Sequence, residues 1–329
     1  MANYAYVLGG GEVGLRMLVE GLTARGLRPV LAVPGTGRLF DEFEQQSIAE
    51  EPPQAAADLR ALAAGCHVIH TFSARWALAA ARGMTGKPLI LHALLPTRSR
   101  DDRAAASAVD LVVCNSRATA ARFDPPVRPR VVYNGVRRPE PARPPLHVRP
   151  GRRTIGLVGN ICPRKGQYDV LPALERVLEL RPDIDVVFAG RVSGAIGLVL
   201  SERAATSAGR IRMLGFVPDI ADHLATLSLV LVPSRSEGFG RVAVEAMRAG
   251  TPILATRVEG LIEGLSGLRD PWLPDDRARW AERIVQELDA PSHSRAELEA
   301  AGARFDPSAY IEAIVGCYED VLGGRANTD

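Results

Sequence analysis

Short apolar runs alternate with longer amphipathic stretches along nearly the whole chain. In the first half, "YAYVL" (4–8), "RPVLAV" (28–33), "HVIHTF" (67–72), "PLILHALL" (88–95), "DLVVCNS" (110–116) and "RVVYNG" (130–135) read as strands. In the second half, "TIGLVGN" (154–160), "IDVVFAG" (184–190), "IRMLGF" (211–216), "LVLVPS" (229–234) and "PILAT" (252–256) do the same. Helical stretches of ten or more residues fall between them, such as 13–25, 73–84, 166–180, 240–249 and 277–289. Strands that are apolar on both faces, alternating with helices, predict parallel sheets covered by helices on either side. In such sheets ligands bind beyond the carboxyl ends of the strands. The loop after each strand is therefore where chemistry is expected.

The rhythm breaks at 137–153, "RRPEPARPPLHVRPGRR", where Pro139, Pro141, Pro144, Pro145 and Pro150 deny both helix and central strand. This segment reads as an interdomain linker, with a long surface loop in one large domain as the alternative. A chain of 329 residues suits two domains of about 150 residues each. The predicted layout is a first α/β domain over 1–138, a Pro-rich linker over 139–152, a second α/β domain over 153–306, and a C-terminal helix over 307–329 able to pack back on the first domain. A net charge of +2 argues against a dedicated nucleic-acid binder and fits a small anionic ligand. Cys66, Cys114, Cys162 and Cys317 are widely spaced, which predicts neither a disulfide framework nor a zinc site. The start "MANYAYVLGG" lacks a basic region followed by a long apolar run, so neither signal peptide nor membrane span is expected. A cytoplasmic protein is expected, with peripheral membrane contact left open.

Three constellations carry candidate chemistry. The first is Gly9-x-Gly11-x-x-Gly14 after the first strand, the spacing of a dinucleotide-binding turn. A nicotinamide enzyme also wants an acid at the end of the second strand to hold the ribose. Here that strand runs into Val33-Pro34-Gly35, and Asp41 and Glu42 come too late. The turn therefore reads as a phosphate approach through backbone N–H groups, or as a structural turn. The second is the loop Ser234–Gly240 with the helix after it. Glu237 lies in the loop and Glu245 about one turn inside the helix, and Gly238 and Gly240 leave backbone N–H groups bare around Phe239. Carboxylates of this kind bind vicinal sugar hydroxyls; a surface acid and a helix N-terminal acid are the plainer reading. The third is Arg164-Lys165 in the loop after "TIGLVGN", a pair suited to a diphosphate, or else a solvated basic loop.

The stretch "SRSEGFG", followed by "EAM", "AG" and "PILAT", resembles the donor-binding signature of retaining glycosyltransferases of family 4. "VVYNGV" (131–136), "LGFVPDIADHLATLSLVLVPS" (214–234), the turn at 9–12 and "GNICPRKGQ" (159–167) extend the resemblance over most of the chain. The resemblance implies the α/β GT-B fold, two Rossmann-like domains whose parallel sheets face a central cleft. It implies that the second domain binds a nucleoside-diphosphate sugar, a UDP-sugar in the first place, and that the first binds the acceptor. By position, Glu245 would hold the nucleotide ribose. Glu237 and the backbone of Gly238, Phe239 and Gly240 would hold the donor sugar. Lys165 would neutralise the departing diphosphate, Gly10 and Gly11 would approach it, and the base would rest near Phe216. Glu12 would lie on the acceptor side.

Two departures stand out. Asn160 occupies a position where family members often carry arginine, and Arg164 can supply that charge. The strand-end histidine of many members would fall at Leu94, whereas this chain has His92, two residues earlier on the same strand face. His92 is then a substitute catalytic group or a packed residue, and His70 a second candidate near the acceptor. Asp183-Ile184-Asp185 spells a metal-binding D-x-D, but it opens a strand, the wrong end for a site in this architecture. No metal and no cofactor are expected. The implied activity is retaining, metal-independent transfer of a sugar to a small-molecule, glycan or lipid-linked acceptor. An epimerase or hydrolase of the same fold, a nicotinamide oxidoreductase and a non-catalytic sugar-nucleotide binder remain as alternatives.

Overall fold

The computed structural model describes residues 10–34, 43–72, 74–82, 85–95, 102–124, 126–140, 149–192 and 196–326. The predicted strand 4–8, Gly9, Asp41, Glu42 and linker residues 141–148 lie outside them. The chain forms two compact units. One holds the described residues up to Gly135 and those from Asp306 on; the other is Val136–Phe305.

In the first unit, α1 (Gly10–Thr23) leads to β1 (Leu31–Pro34) and β2 (Gln45–Ile48), a parallel pair. Then come α2 (Pro52–Ala64), β3 (Ile69–Thr71), α3 (Ala74–Arg82), β4 (Leu89–Ala93), α4 (Asp102–Ser107), β5 (Leu111–Cys114), α5 (Arg117–Ala120) and β6 (Arg130–Val131). Strands β3 to β6 form a parallel sheet in sequence order. The second unit contains β7 (Arg153–Val158), α6 (Leu171–Leu180), β8 (Ile184–Ala189), α7 (Ile196–Thr206), β9 (Ile211–Gly215) and β10 (Leu229–Val232). It continues with α8 (Arg241–Arg248), β11 (Ile253–Ala255), α9 (Glu259–Gly264), α10 (Trp280–Asp289) and α11 (Arg295–Ala303).

The second sheet is parallel throughout, in the order β11-β10-β7-β8-β9. From β7 the chain winds outward through β8 and β9, then crosses to β7's other side for β10 and β11. The loops after β7 and β10 therefore diverge from neighbouring strands, which makes their carboxyl ends the switch point where such sheets bind ligands. The strands hold this order because alternate residues face a common core. Ile155, Leu157, Val186, Phe188, Leu229 and Leu231 pack with Leu174 and Val177 of α6 and Ile284 and Leu288 of α10. Each fully buried side chain of this size contributes roughly 1.5–3 kcal/mol.

The Pro-rich segment belongs to the second unit at both described ends. Arg137 donates to the buried Asp222 carboxylate at 3.0 Å, and the Glu140 N–H donates to its other oxygen at 3.1 Å. Arg149 and Arg152 both grip the buried Asp185, at 2.7 and 2.8 Å. Asp185 is thus enclosed by guanidinium groups, and among the described residues no cluster of His, Cys, Asp or Glu is placed to hold a metal ion. The chain passes between units at Gly135–Val136, a few residues before the expected edge of the linker, and again at Phe305–Asp306. The Val136 N–H donates to the Phe305 carbonyl at 2.8 Å, so the two crossings are hydrogen-bonded side by side. The last helix, α12 (Pro307–Ala326), returns to the first unit. Tyr310, Ile311, Ile314, Cys317 and Val321 form its apolar stripe. They pack on Leu18 and Leu22 of α1, Ile90 of β4 and Val113 of β5. No helix among the described residues is long and apolar enough to cross a membrane.

This core also contains the two candidate histidines. His92 is 0 % exposed and His70 2 %. Their rings stack at 5.3 Å, Phe72 stacks on both, and the Tyr318 hydroxyl shares a hydrogen bond of 2.9 Å with His70 Nδ1. Among the described residues, neither ring nitrogen of His92, nor Nε2 of His70, has a hydrogen-bond partner. The structure therefore places His92 and His70 in the core, not at a solvent-facing strand end as the catalytic and acceptor readings require. Every residue of β4 is buried, so sharing a strand face with position 94 does not bring His92 to a surface.

Burial pulls the pKa of His92 down from 6.5 to about 3, and burial with the neighbouring His92 holds His70 well below its ordinary value. The folded state then binds fewer protons than the unfolded chain, so stability is full above about pH 6.5 and declines as pH falls toward 3. At pH 5 the loss from His92 is about 2 kcal/mol, and His70 acts in the same direction. His92→Phe is expected to lose measurably less stability than the unsubstituted protein between pH 7.5 and pH 5.0, as read by urea unfolding. An equal loss in both contradicts the assignment.

Candidate functional site

The carboxyl ends of β7 and β10 carry the two polar loops singled out in the sequence. After β7 the chain runs through Gly159 and the exposed Asn160, then makes one 3-10 turn over Pro163–Lys165. Pro163 presets the backbone at the start of that turn. Gly166 ends it with φ +67°, and a Cβ at Gly166 would lie 1.8 Å from the Pro233 carbonyl oxygen. Only glycine lets the two loops touch here. After β10, the loop from Pro233 ends at Gly240, φ +78°, which opens α8.

The loops meet at Glu237. Its side chain is 7 % exposed and forms ion pairs with Lys165 Nζ on one carboxylate oxygen and with Arg164, at 3.4 Å, on the other. Ser234 donates its hydroxyl to the Lys165-bound oxygen at 2.9 Å. Arg164 also donates to the Ser236 carbonyl at 3.0 Å. Burial alone would push the Glu237 carboxyl up. The Lys165 ammonium, then the Arg164 guanidinium and the Ser234 hydroxyl, outweigh it and hold the group below the usual carboxylate range. The result is a fixed carboxylate with two cations, a net positive charge at the end of the sheet. Removing one member of such a buried group typically costs about 3–5 kcal/mol, because it leaves an uncompensated charge.

The remaining second-unit candidates line the same edge of the sheet or the helix that follows. Glu245 is 6 % exposed on α8 and is paired with Arg241 at 2.7 Å, one turn earlier. Phe239 is 2 % exposed and lies edge-to-face on Phe305 at 5.1 Å, so its ring anchors the loop and only its backbone can face a ligand. Gly238 is pressed against α9, where a Cβ at Gly260 would lie 2.1 Å from the Gly238 carbonyl oxygen. Phe216 is partly exposed after β9, with the Arg191 guanidinium 4.7 Å over its ring. In the first unit, Gly10 and Gly11 are the first residues of α1, and the Glu12 side chain lies outside the described residues.

Several participants were not picked out from the sequence. Ser234 precedes Glu237 by three residues, a spacing at which a hydroxyl commonly reaches a carboxylate. Glu259 follows β11, and its carboxylate accepts from the Glu237 N–H at 3.4 Å. The rule that chemistry follows each strand would have reached it. Composition held another signal: 38 arginines against two lysines, Lys87 and Lys165. A chain that uses arginine almost everywhere keeps a compact ammonium with three rotatable donors at 165.

The family model described as Glycosyltransferase Family 4 matches residues 8–138, and that described as Glycosyl transferases group 1 matches residues 152–290. The chain is 33% identical over 199 residues to a D-inositol 3-phosphate glycosyltransferase of Segniliparus rotundus, covering 56% of this chain and 44% of the relative. It is 32% identical over 298 residues to the protein of the same description in Mycolicibacterium vanbaalenii, covering 80% of this chain and 62% of the relative. The chain thus spans about half to three-fifths of the length of these curated relatives. The crystal structure of Anabaena Alr3699/HepE in complex with UDP and glucose superimposes with a TM-score of 0.81 at 20% identity, over 97% of this chain and 98% of that one. At that identity the likeness shows the fold, which is GT-B. Two consecutive family matches, the shared fold and the loop signature at the switch point together place this chain among the family 4 glycosyltransferases.

Proposed function

We propose that the chain is a retaining, metal-independent transferase. It moves a sugar from a nucleoside-diphosphate sugar, a UDP-sugar, to a hydroxyl or other nucleophile of a small-molecule, glycan or lipid-linked acceptor. The observation that carries this reading is the Glu237 carboxylate held ionised between Lys165, Arg164 and Ser234 at the switch point. Transfer breaks the bond between the anomeric carbon and a diphosphate oxygen, through a state with oxocarbenium character. Negative charge grows on the departing diphosphate, and stabilising it is the main electrostatic task. Lys165 and Arg164 supply that positive charge in fixed positions, so it need not be gathered during the step. The amides at Gly238–Gly240, at the N-terminus of α8, add partial positive charge.

Glu237 suits sugar recognition better than nucleophilic attack. Both its oxygens already accept from cations or a hydroxyl, which lowers their nucleophilicity. Retention then follows from attack on the face the leaving group vacates. The acceptor oxygen bonds to the anomeric carbon, and its proton passes to the leaving diphosphate oxygen. Glu245, held by Arg241, receives the ribose hydroxyls, and the base lies against Phe216 beneath Arg191. The UDP reading is supported by the UDP and glucose bound in the Anabaena protein of the same fold.

A panel of nucleotide sugars screened by mass spectrometry against mixed acceptors tests the activity, with release of one nucleoside diphosphate coupled to a mass-shifted acceptor as the expected result. With the donor so found, Lys165→Ala is expected to lower kcat by about 10²–10³, the range for one lost contact to developing charge. Near-normal turnover contradicts its role. Glu245→Ala is expected to weaken UDP binding about 10-fold or more in calorimetry, matching lost hydrogen bonds to a charged group. An unchanged Kd refutes the ribose assignment.

A further inference from the structure

The two loops of the site are also joined outside it. Asp169 lies four residues beyond Lys165, and its side chain is 5 % exposed. Its two carboxylate oxygens accept from Arg235 Nε at 2.6 Å and Nη2 at 2.7 Å, a bidentate fork. Arg277, just before α10, donates to the same carboxylate at 3.1 Å. The Arg235 backbone N–H donates to the Arg164 carbonyl at 2.8 Å. Arg235 immediately follows Ser234, whose hydroxyl holds Glu237. One residue is therefore tied to the cation-bearing loop by main chain and side chain together, through contacts separate from the Lys165–Glu237 pair.

The arginines are more than half exposed while the carboxylate between them is buried. An exposed pair alone contributes little, but a bidentate fork on a buried carboxylate fixes direction as well as distance. The hydrogen bond from Arg235 comes first among the causes that hold Asp169 below the usual carboxylate range. Without Asp169, Arg235 and Arg277 would stand as like charges beside a site that already carries Arg164 and Lys165.

We infer that Asp169, through Arg235, is a positioning residue that braces the Arg164–Lys165 turn against the Glu237 loop. This rests on the proposed role of those cations. Asp169 touches no part of the donor in this scheme; it sets where the ammonium stands when the diphosphate departs. Asp169→Asn keeps the shape and loses the fork's charge. Arg235→Gln cuts the same tie while Arg277 still faces the Asp169 carboxylate and offsets its charge.

The test exploits the two lysines. Amine acylation is followed by mass spectrometry, with Lys87 as the internal reference. Either variant is expected to raise the Lys165 labelling rate at least 5-fold, with Lys87 and Tm unchanged. The double variant should label no faster than the single ones, because both cut one connection. Unchanged Lys165 labelling, or additive effects, overturns the brace. In turnover of the donor identified above, both variants should lower kcat at least 10-fold while donor KM stays within about 2-fold. Faster labelling with unaltered kcat leaves the brace standing and refutes Lys165 as the catalytic cation, so the two readings fail separately.

Discussion

Everything at the carboxyl end of the second sheet depends on keeping one carboxylate ionised in a nearly dry place. Glu237 is stable there only because Lys165, Arg164 and Ser234 surround it. That requirement fixes the loops. The 3-10 turn must end at a left-handed glycine to bring its cations inward, and the second loop must pass within touching distance of Gly166. It also fixes the fold around it. Only where β7 and β10 are neighbours with diverging connections do two loops rise side by side without competing for space.

The ion pair has a further consequence for chemistry. Lys165 and Glu237 are proposed to meet different parts of a donor, yet in the structure each is the other's partner. A cation already paired and desolvated needs little reorganisation when a diphosphate approaches, since one anion is exchanged for or shared with another. The carboxylate released from part of its grip becomes a better acceptor for sugar hydroxyls. Binding of the two halves of a nucleotide sugar would thus be coupled through a single hydrogen-bonded pair.

The second unit was largely legible from its sequence because its strands are apolar on both faces and are bounded by glycine and proline. All five appear where their apolar runs predict, and helix α8 begins one residue from its expected start. Strand β2, "QQSI", was not named because three of its residues are polar and only Ile48 is buried, and α2 was not named because two prolines open it. A proline pair reads as a break, yet the first turn of a helix tolerates it. For His70 and His92 the sequence left a packed role and a surface role open, for a different reason. Two-residue periodicity assigns a strand face but does not say whether either face reaches solvent. Just after the crossing at Gly135–Val136, Arg137 pairs with Asp222, a contact 85 residues away in sequence that no local pattern announces. The same holds for Asp169 with Arg235: type and spacing marked the site's charges, while the partners that aim them are set only by the tertiary fold.

The Lys165 ammonium, poised by Glu237, is proposed as the charge that meets the diphosphate. With only two lysines in the chain, protein carrying ¹³C at the lysine ε-carbon gives a two-signal correlation spectrum. Adding UDP to saturation, verified by calorimetry, should shift the Lys165 signal and leave Lys87 in place, whereas uridine, which lacks the phosphates, should move neither. A Lys165 signal that stays fixed while UDP is bound would contradict the account.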